Sequence, residues 1–309
     1  MTRPPTRRVF VALLLGAAAV TPFSAARQVP APAAAPAVVT IDALVTRDGK
    51  PVTGLKAGDF DVRDGGAVQQ VQLGSLDSMP VALLLALDTS VSLRGPALDQ
   101  LKEAAKAAVS SLRAGDQAAL LTFSQSVALR AGWTDDKRRL QTAIDATTAQ
   151  GSTSLADAAF AALCLPPGRA GRTLVLIFSD GDDSSSWLSA TAVVEAARRT
   201  EAVVYGITLS AGATGPVAPD AARVKLLEDP GLYPGALLPV LAHDTGGESL
   251  SRANPRDLRA AFLDVLARFN QRYVLTYTSP HAAGSGWHSL EVRVTDPALT
   301  VTARRGYTR

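Results

Sequence analysis

Oxygen-bearing side chains gather in three short segments of this sequence, at residues 88–92 (DTSVS), 151–154 (GSTS) and 179–183 (SDGDD). The segments contain serine, threonine and aspartate but no histidine or cysteine, so a metal bound there would have oxygen ligands only. Oxygen ligands with few charges suit a hard divalent cation, above all Mg²⁺. The residue types therefore predict a magnesium site, provided that the fold brings the three segments together.

Apolar stretches in the same region have the pattern of buried strands. Near-continuous apolar runs, typical of strands covered on both faces, occupy residues 81–87, 118–123, 174–178 and 203–209. Apolar stripes at helical spacing alternate with them, at residues 98–112, 137–148, 155–164, 190–199 and 257–269. This alternation predicts an α/β fold with a doubly wound, mostly parallel sheet of Rossmann-like type. Since the carboxyl ends of parallel strands meet at one edge, we expect Asp88 and Asp180 to converge there.

The arrangement of these oxygen ligands resembles the metal-ion-dependent adhesion site (MIDAS) of the von Willebrand factor A (VWA) domain family. The parts of the motif are Asp88-x-Ser90-x-Ser92, Thr153 within Gly-Ser-Thr, and Asp180 within Ser-Asp-Gly, in the order in which that family has them. The resemblance covers residues 79–270, which we predict to form one VWA domain. The same fold forms the inserted domains of integrins.

The resemblance implies a role for each of these side chains. Ser90 and Ser92 would bind a cation directly through their hydroxyls, and Thr153 would do so directly or through water. Asp88 and Asp180 would mainly hold water molecules bound to the cation, which leaves the ion poorly neutralised. The implied ion is Mg²⁺, Mn²⁺ or Ca²⁺. The implied partner is a protein that presents a carboxylate to the open coordination position.

Other interpretations of individual residues stay open. Asp88 by itself would also suit the cap of the following helix. Val91 and Ser152 stand where the family often has glycine, although neither departure removes a ligand. We expect residues 182–183 to form a solvated loop, and Cys164 to be a small buried residue on an apolar helix face.

The segments on both sides of the α/β region have the alternating apolar pattern of β-strands. Residues 38–77 contain tight-turn sequences such as Asp48-Gly49, and residues 271–309 alternate around the turn Asp296-Pro297. Each segment is too small to bury a sheet face by itself, so we predict that they pair into one small β-sandwich-like domain. The flanks also resemble those of exported bacterial proteins described as VWFA-related, through the sequences VTGL at 52–55, DFDV at 59–62 and RRGY at 304–307.

Residues 1–26 have the pattern of a secretory signal peptide. Three arginines precede an apolar run at residues 9–20, and small residues follow at the spacing of a cleavage site. The arginine pair at 7–8 also resembles a twin-arginine signal, so export by the Sec or the Tat route stays open. Residues 27–37 are rich in Pro and Ala and predict an extended linker. The mature protein is expected in the periplasm or outside the cell, without a stable membrane anchor.

Composition narrows the class of protein further. The 309 residues include 47% hydrophobic and 19% charged residues, which indicates a folded chain of one large or two modest domains. A single cysteine excludes a disulfide framework and a cysteine-based zinc cluster. The formal charge of +3 comes from the arginines of residues 1–26, since the remaining basic residues balance the 28 acidic ones. Because the basic residues are dispersed and aromatic residues are few, no nucleic-acid partner is expected.

The pattern favours a non-enzymatic, exported binding or adhesion protein of the cell envelope. One alternative is a metal-dependent hydrolase or phosphatase, but a haloacid-dehalogenase-type enzyme needs a second aspartate where Ser90 stands. No G-x-S-x-G elbow or P-loop motif is present, and no histidine is placed in the sequence to activate Ser90. Another alternative is a scaffold whose metal site is only structural and whose β flanks bind the partner.

Overall fold

The structure is a computed structural model that describes most of the chain predicted to fold. The described residues are 37–75, 79–166, 168–169, 171–180, 183–209, 235–279 and 286–308. The predicted signal peptide and all but the last residue of the predicted linker lie outside them. Both therefore stay predictions.

The first flank consists of short strands that precede the central sheet. They are β1 (Ala37–Arg47), β2 (Lys50–Pro51), β3 (Phe60–Asp64), β4 (Ala67–Gln69) and β5 (Gln72–Leu73). The turn between β1 and β2 has positive φ at both Asp48 and Gly49, and the turn between β3 and β4 has it at Gly65 and Gly66. Tight hairpins need this left-handed backbone, which aspartate and glycine tolerate best. The turn residues thus explain where these hairpins form.

The central sheet is built from the apolar runs of the sequence. Its strands are β6 (Val81–Asp88), β7 (Gln117–Phe123), β8 (Val127–Thr134), β9 (Arg172–Ser179), β10 (Val203–Leu209) and β11 (Ser249–Arg252). Within the described residues their order is β11-β10-β9-β6-β7-β8. Neighbouring strands are parallel except β7 and β8, which are antiparallel. The predicted mostly parallel sheet is confirmed.

The sequence interpretation missed the two edge strands of this sheet, β8 and β11. Most residues of both strands are partly or fully exposed, so neither presents a continuous apolar run. Such a run identifies strands buried on both faces, whereas an edge strand has one unpaired side and needs fewer apolar residues. The signal that found the inner strands was therefore absent at the edges.

Helices cover both faces of the central sheet, as a doubly wound fold requires. They are α1 (Pro96–Ser111), α2 (Lys137–Asp145), α3 (Leu155–Cys164), α4 (Ala190–Ala197), α5 (Leu237–Thr245) and α6 (Leu258–Asn270). Side chains of α1, α2 and α6, such as Leu101 and Phe262, belong to the core on one face. Side chains of α3, α4 and α5, such as Val193 and Leu241, belong to the core on the other. None of the described helices is both long enough and apolar enough to span a bilayer.

The prediction that Cys164 is buried is wrong. Cys164 is the last residue of α3, and its side chain is exposed. The buried stripe of α3 includes Ala158, Ala159 and Ala162 and ends at Leu163. The next residue therefore turns away from the core.

Strands from the two predicted flanks form two further sheets, which pack face to face. The later strands are β12 (Tyr273–Ser279), β13 (Trp287–Val294), β14 (Thr300–Thr302) and β15 (Gly306–Thr308). One sheet has the order β14-β1-β12-β5 with β2 beside β1, and the other has the order β15-β13-β3-β4. Both sheets contribute to one apolar core, which includes Ile41, Val62 and Leu275. The predicted pairing of the two flanks into a β-sandwich-like unit is thus present, through the antiparallel pairs β1–β12 and β3–β13.

Candidate metal centre

Two of the three oxygen-rich segments, residues 88–92 and 179–183, leave the central sheet at the same edge. Strands β6 and β9 are parallel neighbours, and Leu87 is in register with Phe178. Strands β6 and β7 are also parallel, and Asp88 is in register with Phe123. The topology therefore places Asp88 beside the segment that begins at Ser179, as the sequence predicts.

Backbone hydrogen bonds tie the loop after β6 to the segment before α3. The amide of Gln150 donates to the carbonyl of Thr89 over 2.8 Å, and the amide of Val91 donates to the carbonyl of Gly151 over 2.9 Å. The amide and the hydroxyl of Thr89 both donate to the carbonyl of Phe123, over 2.7 and 3.0 Å. These contacts hold the loop that carries the two predicted serine ligands against the loops on either side of it.

Three side-chain oxygens form a compact cluster at this edge. The Oγ atoms of Ser90 and Ser92 are 2.9 Å apart, and Ser92 Oγ donates to Asp180 Oδ1 over 3.1 Å. In an octahedron with Mg²⁺–O bonds of about 2.1 Å, adjacent ligand oxygens are about 3 Å apart. Ser90 is buried and Ser92 is exposed, so the cluster reaches the surface. The donor set therefore fits a hard cation, although the same separations also suit direct hydrogen bonds.

Asp88 is buried behind this cluster, and both of its carboxylate oxygens are occupied. Oδ1 accepts from the backbone amide of Ser90 over 2.8 Å, and Oδ2 accepts from Ser179 Oγ over 2.8 Å. It does not cap helix α1, whose N-cap is Gly95. Asp88 thus fixes the loop rather than the helix. Sequence reasoning missed the role of Ser179, although this serine precedes Asp180 in the motif.

The electrostatics of the two carboxylates favour a nearby positive charge. Burial raises the pKa of Asp88 to about 6, with hydrogen bonds from Ser90 and Ser179 opposing the shift and the Asp180 carboxylate reinforcing it. Burial also raises the pKa of Asp180, and the hydrogen bond from Ser92 opposes that shift. Desolvation thus destabilises both ionised forms, and a cation at the cluster would offset this penalty.

Thr153 lies on the adjacent segment and is buried. Its carbonyl accepts from the amides of Ser184 and Ser185 over 2.9 and 3.0 Å, and its own amide donates to Ser184 Oγ over 3.0 Å. Within the described residues, no hydrogen bond joins the Thr153 side chain to the other four predicted ligands. The backbone contacts place Thr153 against the loop after β9, and a ligand role for its hydroxyl stays a prediction.

The loop after β9 is clamped to the first turn of α3 by two carboxylates. Asp183 Oδ2 accepts from the amide of Ala156 over 2.7 Å, and the Asp157 carboxylate accepts from the amides of Trp187 and Leu188 over 2.9 to 3.1 Å. Asp183 is exposed, as a solvated loop predicts, but it also caps α3, which the sequence interpretation missed. Asp182, its neighbour in that prediction, lies outside the described residues.

Other metal-binding arrangements receive no support from the structure. Across the described ranges, no group of three or more His, Cys, Asp or Glu side chains is placed to hold a metal. His243 lies on α5 and His288 on β13, away from the oxygen cluster in sequence and in topology.

Comparison with protein families gives the same interpretation of this region. Residues 83–182 match the family model of the von Willebrand factor type A domain. This stretch of the chain is similar to VWA domains. The matched stretch begins in β6 and includes all five predicted ligand positions, from Asp88 to Asp180.

Solved structures that are similar to parts of this chain come from several sources. Proximal thread matrix protein 1 from the mussel byssus is 16% identical over 68% of this chain and 51% of its own, with a TM-score of 0.51. The PilB minor pilin from Streptococcus sanguinis is 13% identical over 62% of each chain, with a TM-score of 0.48. The vWF domain of the type V pili tip protein Mfa5 from Porphyromonas gingivalis is 21% identical over 34% of this chain and 39% of its own, with a TM-score of 0.31.

The similarity to proximal thread matrix protein 1 concerns the fold alone. The aligned part spans between 39% and 62% of the three proteins. A search of curated proteins found no match.

Proposed function

We propose that this protein is a non-enzymatic, exported binding protein whose VWA domain captures a protein partner through a MIDAS-type divalent cation. The observation that carries the proposal is the cluster of Ser90, Ser92 and Asp180 oxygens, which opens to the surface at the carboxyl edge of the sheet. Mg²⁺ is the expected ion, with Mn²⁺ and Ca²⁺ as alternatives of the same ligand preference.

The arrangement explains how such a site would recognise an acidic partner. Ser90 and Ser92 would hold the cation through neutral hydroxyls, and Thr153 would add a third hydroxyl directly or through water. Asp88 would stay behind them, since both of its oxygens already bind Ser90 and Ser179. Neutral ligands leave most of the positive charge of the ion uncompensated, so a carboxylate from a partner would bind at the open position.

The same residues make a hydrolytic function less suitable. A nucleophilic serine needs a neighbouring general base that is itself oriented by a third group. The described residues place Ser92 beside Asp180, but no histidine stands between them. We therefore favour binding over turnover of an ester or a phosphate.

Export would place this binding site in the periplasm or outside the cell. The support for export is the signal-peptide pattern of residues 1–26, which is compatible with the Sec or the Tat route. A cell-envelope location would give an adhesive role to a site that recognises acidic groups on another protein.

Thermal stability in the presence and absence of Mg²⁺ tests the metal site. At a concentration of about 100 Kd, Mg²⁺ is expected to stabilise the full chain by about 2.7 kcal/mol, which corresponds to a rise in melting temperature of about 5–10 °C. Ser92→Ala should abolish most of this rise by removing a ligand. Because Ser92 is exposed, the melting temperature in EDTA should change little. Differential scanning calorimetry and titration calorimetry would measure both effects.

Ser152→Ala is the matched control for this experiment. Ser152 is an exposed serine next to Thr153 that is not a predicted ligand, so its loss should leave the Mg²⁺ effect intact. Identical melting curves of the unaltered chain in Mg²⁺ and in EDTA would show that the cation site is absent. Equal capture of a protein partner in both conditions would favour a purely structural site.

A further inference from the structure

Large apolar side chains are exposed in the two loops that carry the predicted metal ligands. The exposed large apolar residues of the described chain are Val38, Val68, Val91, Leu129, Trp187, Leu188 and Trp287. Val91 lies between Ser90 and Ser92, while Trp187 and Leu188 lie in the loop after β9. Three of these seven residues therefore lie in the two loops that carry predicted metal ligands.

Trp187 has an exposed side chain on a backbone that is held in place by hydrogen bonds. Its side chain is 95% exposed. Its amide donates to both carboxylate oxygens of Asp157 over 3.1 Å, and the amide of Leu188 donates to the same carboxylate over 2.9 Å. By contrast, Trp287 is 45% exposed and carries the Arg198 guanidinium over its ring at 5.0 Å. An indole presented to water by an ordered backbone is typical of a binding hot spot.

The loop that presents Trp187 is tied to the candidate metal centre. Ser184 and Ser185 donate their amides to the carbonyl of Thr153, and Ser186 Oγ accepts from the amide of Asp157 over 3.1 Å. A partner that reached the cation would therefore lie close to this loop.

The charge of the neighbouring loop also suits an acidic partner. Arg94, two residues after Ser92, is exposed and carries a positive charge. Together with a bound cation, it would attract the carboxylate of a partner segment.

We infer that Val91, Trp187 and Leu188 form an apolar rim surface that binds an aromatic or large aliphatic side chain of the same protein segment that gives its carboxylate to the cation. This inference rests on the proposed function. A single carboxylate would orient the partner on the cation but would add little affinity in water. Burial of the Trp187 indole against the partner would add apolar contact area and so increase affinity. The occupant is thus a short peptide segment with an acidic residue and, within a few positions, a large apolar one.

An array of synthetic nonapeptides tests this inference. Each peptide has a central Asp or Asn, and all its other positions are alanine except one. That one position carries Phe, Trp, Leu or Lys, and it is varied along the peptide. Binding of the full chain is measured in Mg²⁺ and in EDTA. In Mg²⁺, Asp peptides with an apolar residue at a preferred position should bind at least about 30-fold more tightly than the Asp peptide with alanine only, as expected of a hot-spot contact.

Variants of the rim surface identify its contribution. Trp187→Ala should lower binding of the apolar Asp peptides to the level of the alanine peptide, while the preference for Asp over Asn remains. Trp187→Phe should retain most of the gain. Val68→Ala, which removes an exposed apolar side chain on β4, should have no effect.

The outcomes distinguish this inference from the proposed function. A preference for Asp in Mg²⁺ without a gain from apolar residues, or with a gain that survives Trp187→Ala, would overturn the rim surface alone. Equal binding of Asp and Asn peptides would overturn both. Mg²⁺-dependent self-association that Trp187→Ala abolishes, measured by analytical ultracentrifugation, would show that a second copy is the occupant and would overturn the peptide-segment assignment.

Discussion

Asp64→Ala is expected to lower the free energy of unfolding by about 3 kcal/mol or more, because it removes a buried charged acceptor that three hydroxyls share. Asp64 is fully buried on β3. Its Oδ2 accepts from Tyr277 Oη and Tyr307 Oη, each over 2.9 Å, and from Ser279 Oγ over 3.1 Å. Tyr277 and Ser279 lie on β12 of the facing sheet, so this carboxylate joins the two sheets of the sandwich.

The environment of Tyr277 shows how closely these groups are packed. Burial raises the pKa of the Tyr277 hydroxyl far above its usual range, and the hydrogen bond to Asp64 reinforces the shift. The phenol therefore stays a donor throughout the physiological pH range. Removal of its acceptor would leave a buried donor that cannot lose its proton.

Denaturant unfolding of the full chain measures this effect, and Asp61→Ala is its matched control. Asp61 lies on the same strand but is part-exposed, and its ion pair with Arg63 spans 3.2 Å at the surface. Exposed pairs of this kind contribute about 0.2–1 kcal/mol. Equal unfolding midpoints for the Asp64 and Asp61 variants would contradict the role assigned to Asp64.

Arg272→Met is expected to destabilise the protein by about 3–5 kcal/mol, because it removes several buried hydrogen bonds from a charged donor, each of which contributes about 1.5–3 kcal/mol. Arg272 is fully buried between α6 and β12. Its Nη1 donates to Tyr205 Oη on β10 over 3.1 Å. Its Nη2 lies within hydrogen-bond distance of the carbonyls of Asp42 on β1 and Thr302 on β14, at 2.8 and 3.1 Å.

This guanidinium thus connects the central sheet with the β-sandwich. Its loss should weaken the coupling between the two units, so that calorimetry of Arg272→Met shows a broadened or divided unfolding transition. Arg272→Lys should retain the charge but donate to fewer carbonyls. Its stability should therefore lie between those of the unaltered protein and Arg272→Met. Arg268→Ala, which removes part-exposed ion pairs with Asp264 and Glu248, is the control and should have a small effect. A single transition at the original temperature for Arg272→Met would disprove the coupling.

The α/β core and the location of the candidate site could be predicted from local patterns. All eight residues of β6 are buried, and the apolar run of this strand is continuous until Asp88. A strand of this kind must be covered on both faces, and strand–helix alternation then requires parallel pairing. The meeting of Asp88 and Asp180 at one edge follows from that topology, without knowledge of any side-chain contact.

The partners of the polar residues could not be predicted in this way. Ser179 donates to Asp88, Asp183 caps α3, and Asp64 binds hydroxyls more than two hundred positions away in the chain. A polar side chain reveals its hydrogen-bonding capacity in the sequence but not the identity of its partner, because that partner is chosen by packing. The same reason explains why the clamp on Trp187 was not foreseen.

Sequence by itself therefore determined the inner strands of the central sheet, most of the helices that cover it, and the edge at which Asp88 and Asp180 lie, since hydrophobic periodicity is a local property of the chain. Tertiary structure alone decided how those oxygens are held, which carboxylates are buried behind them, and which apolar side chains stay in water. Those features depend on contacts between residues that are distant in the sequence, and only the packed fold brings them within hydrogen-bonding range.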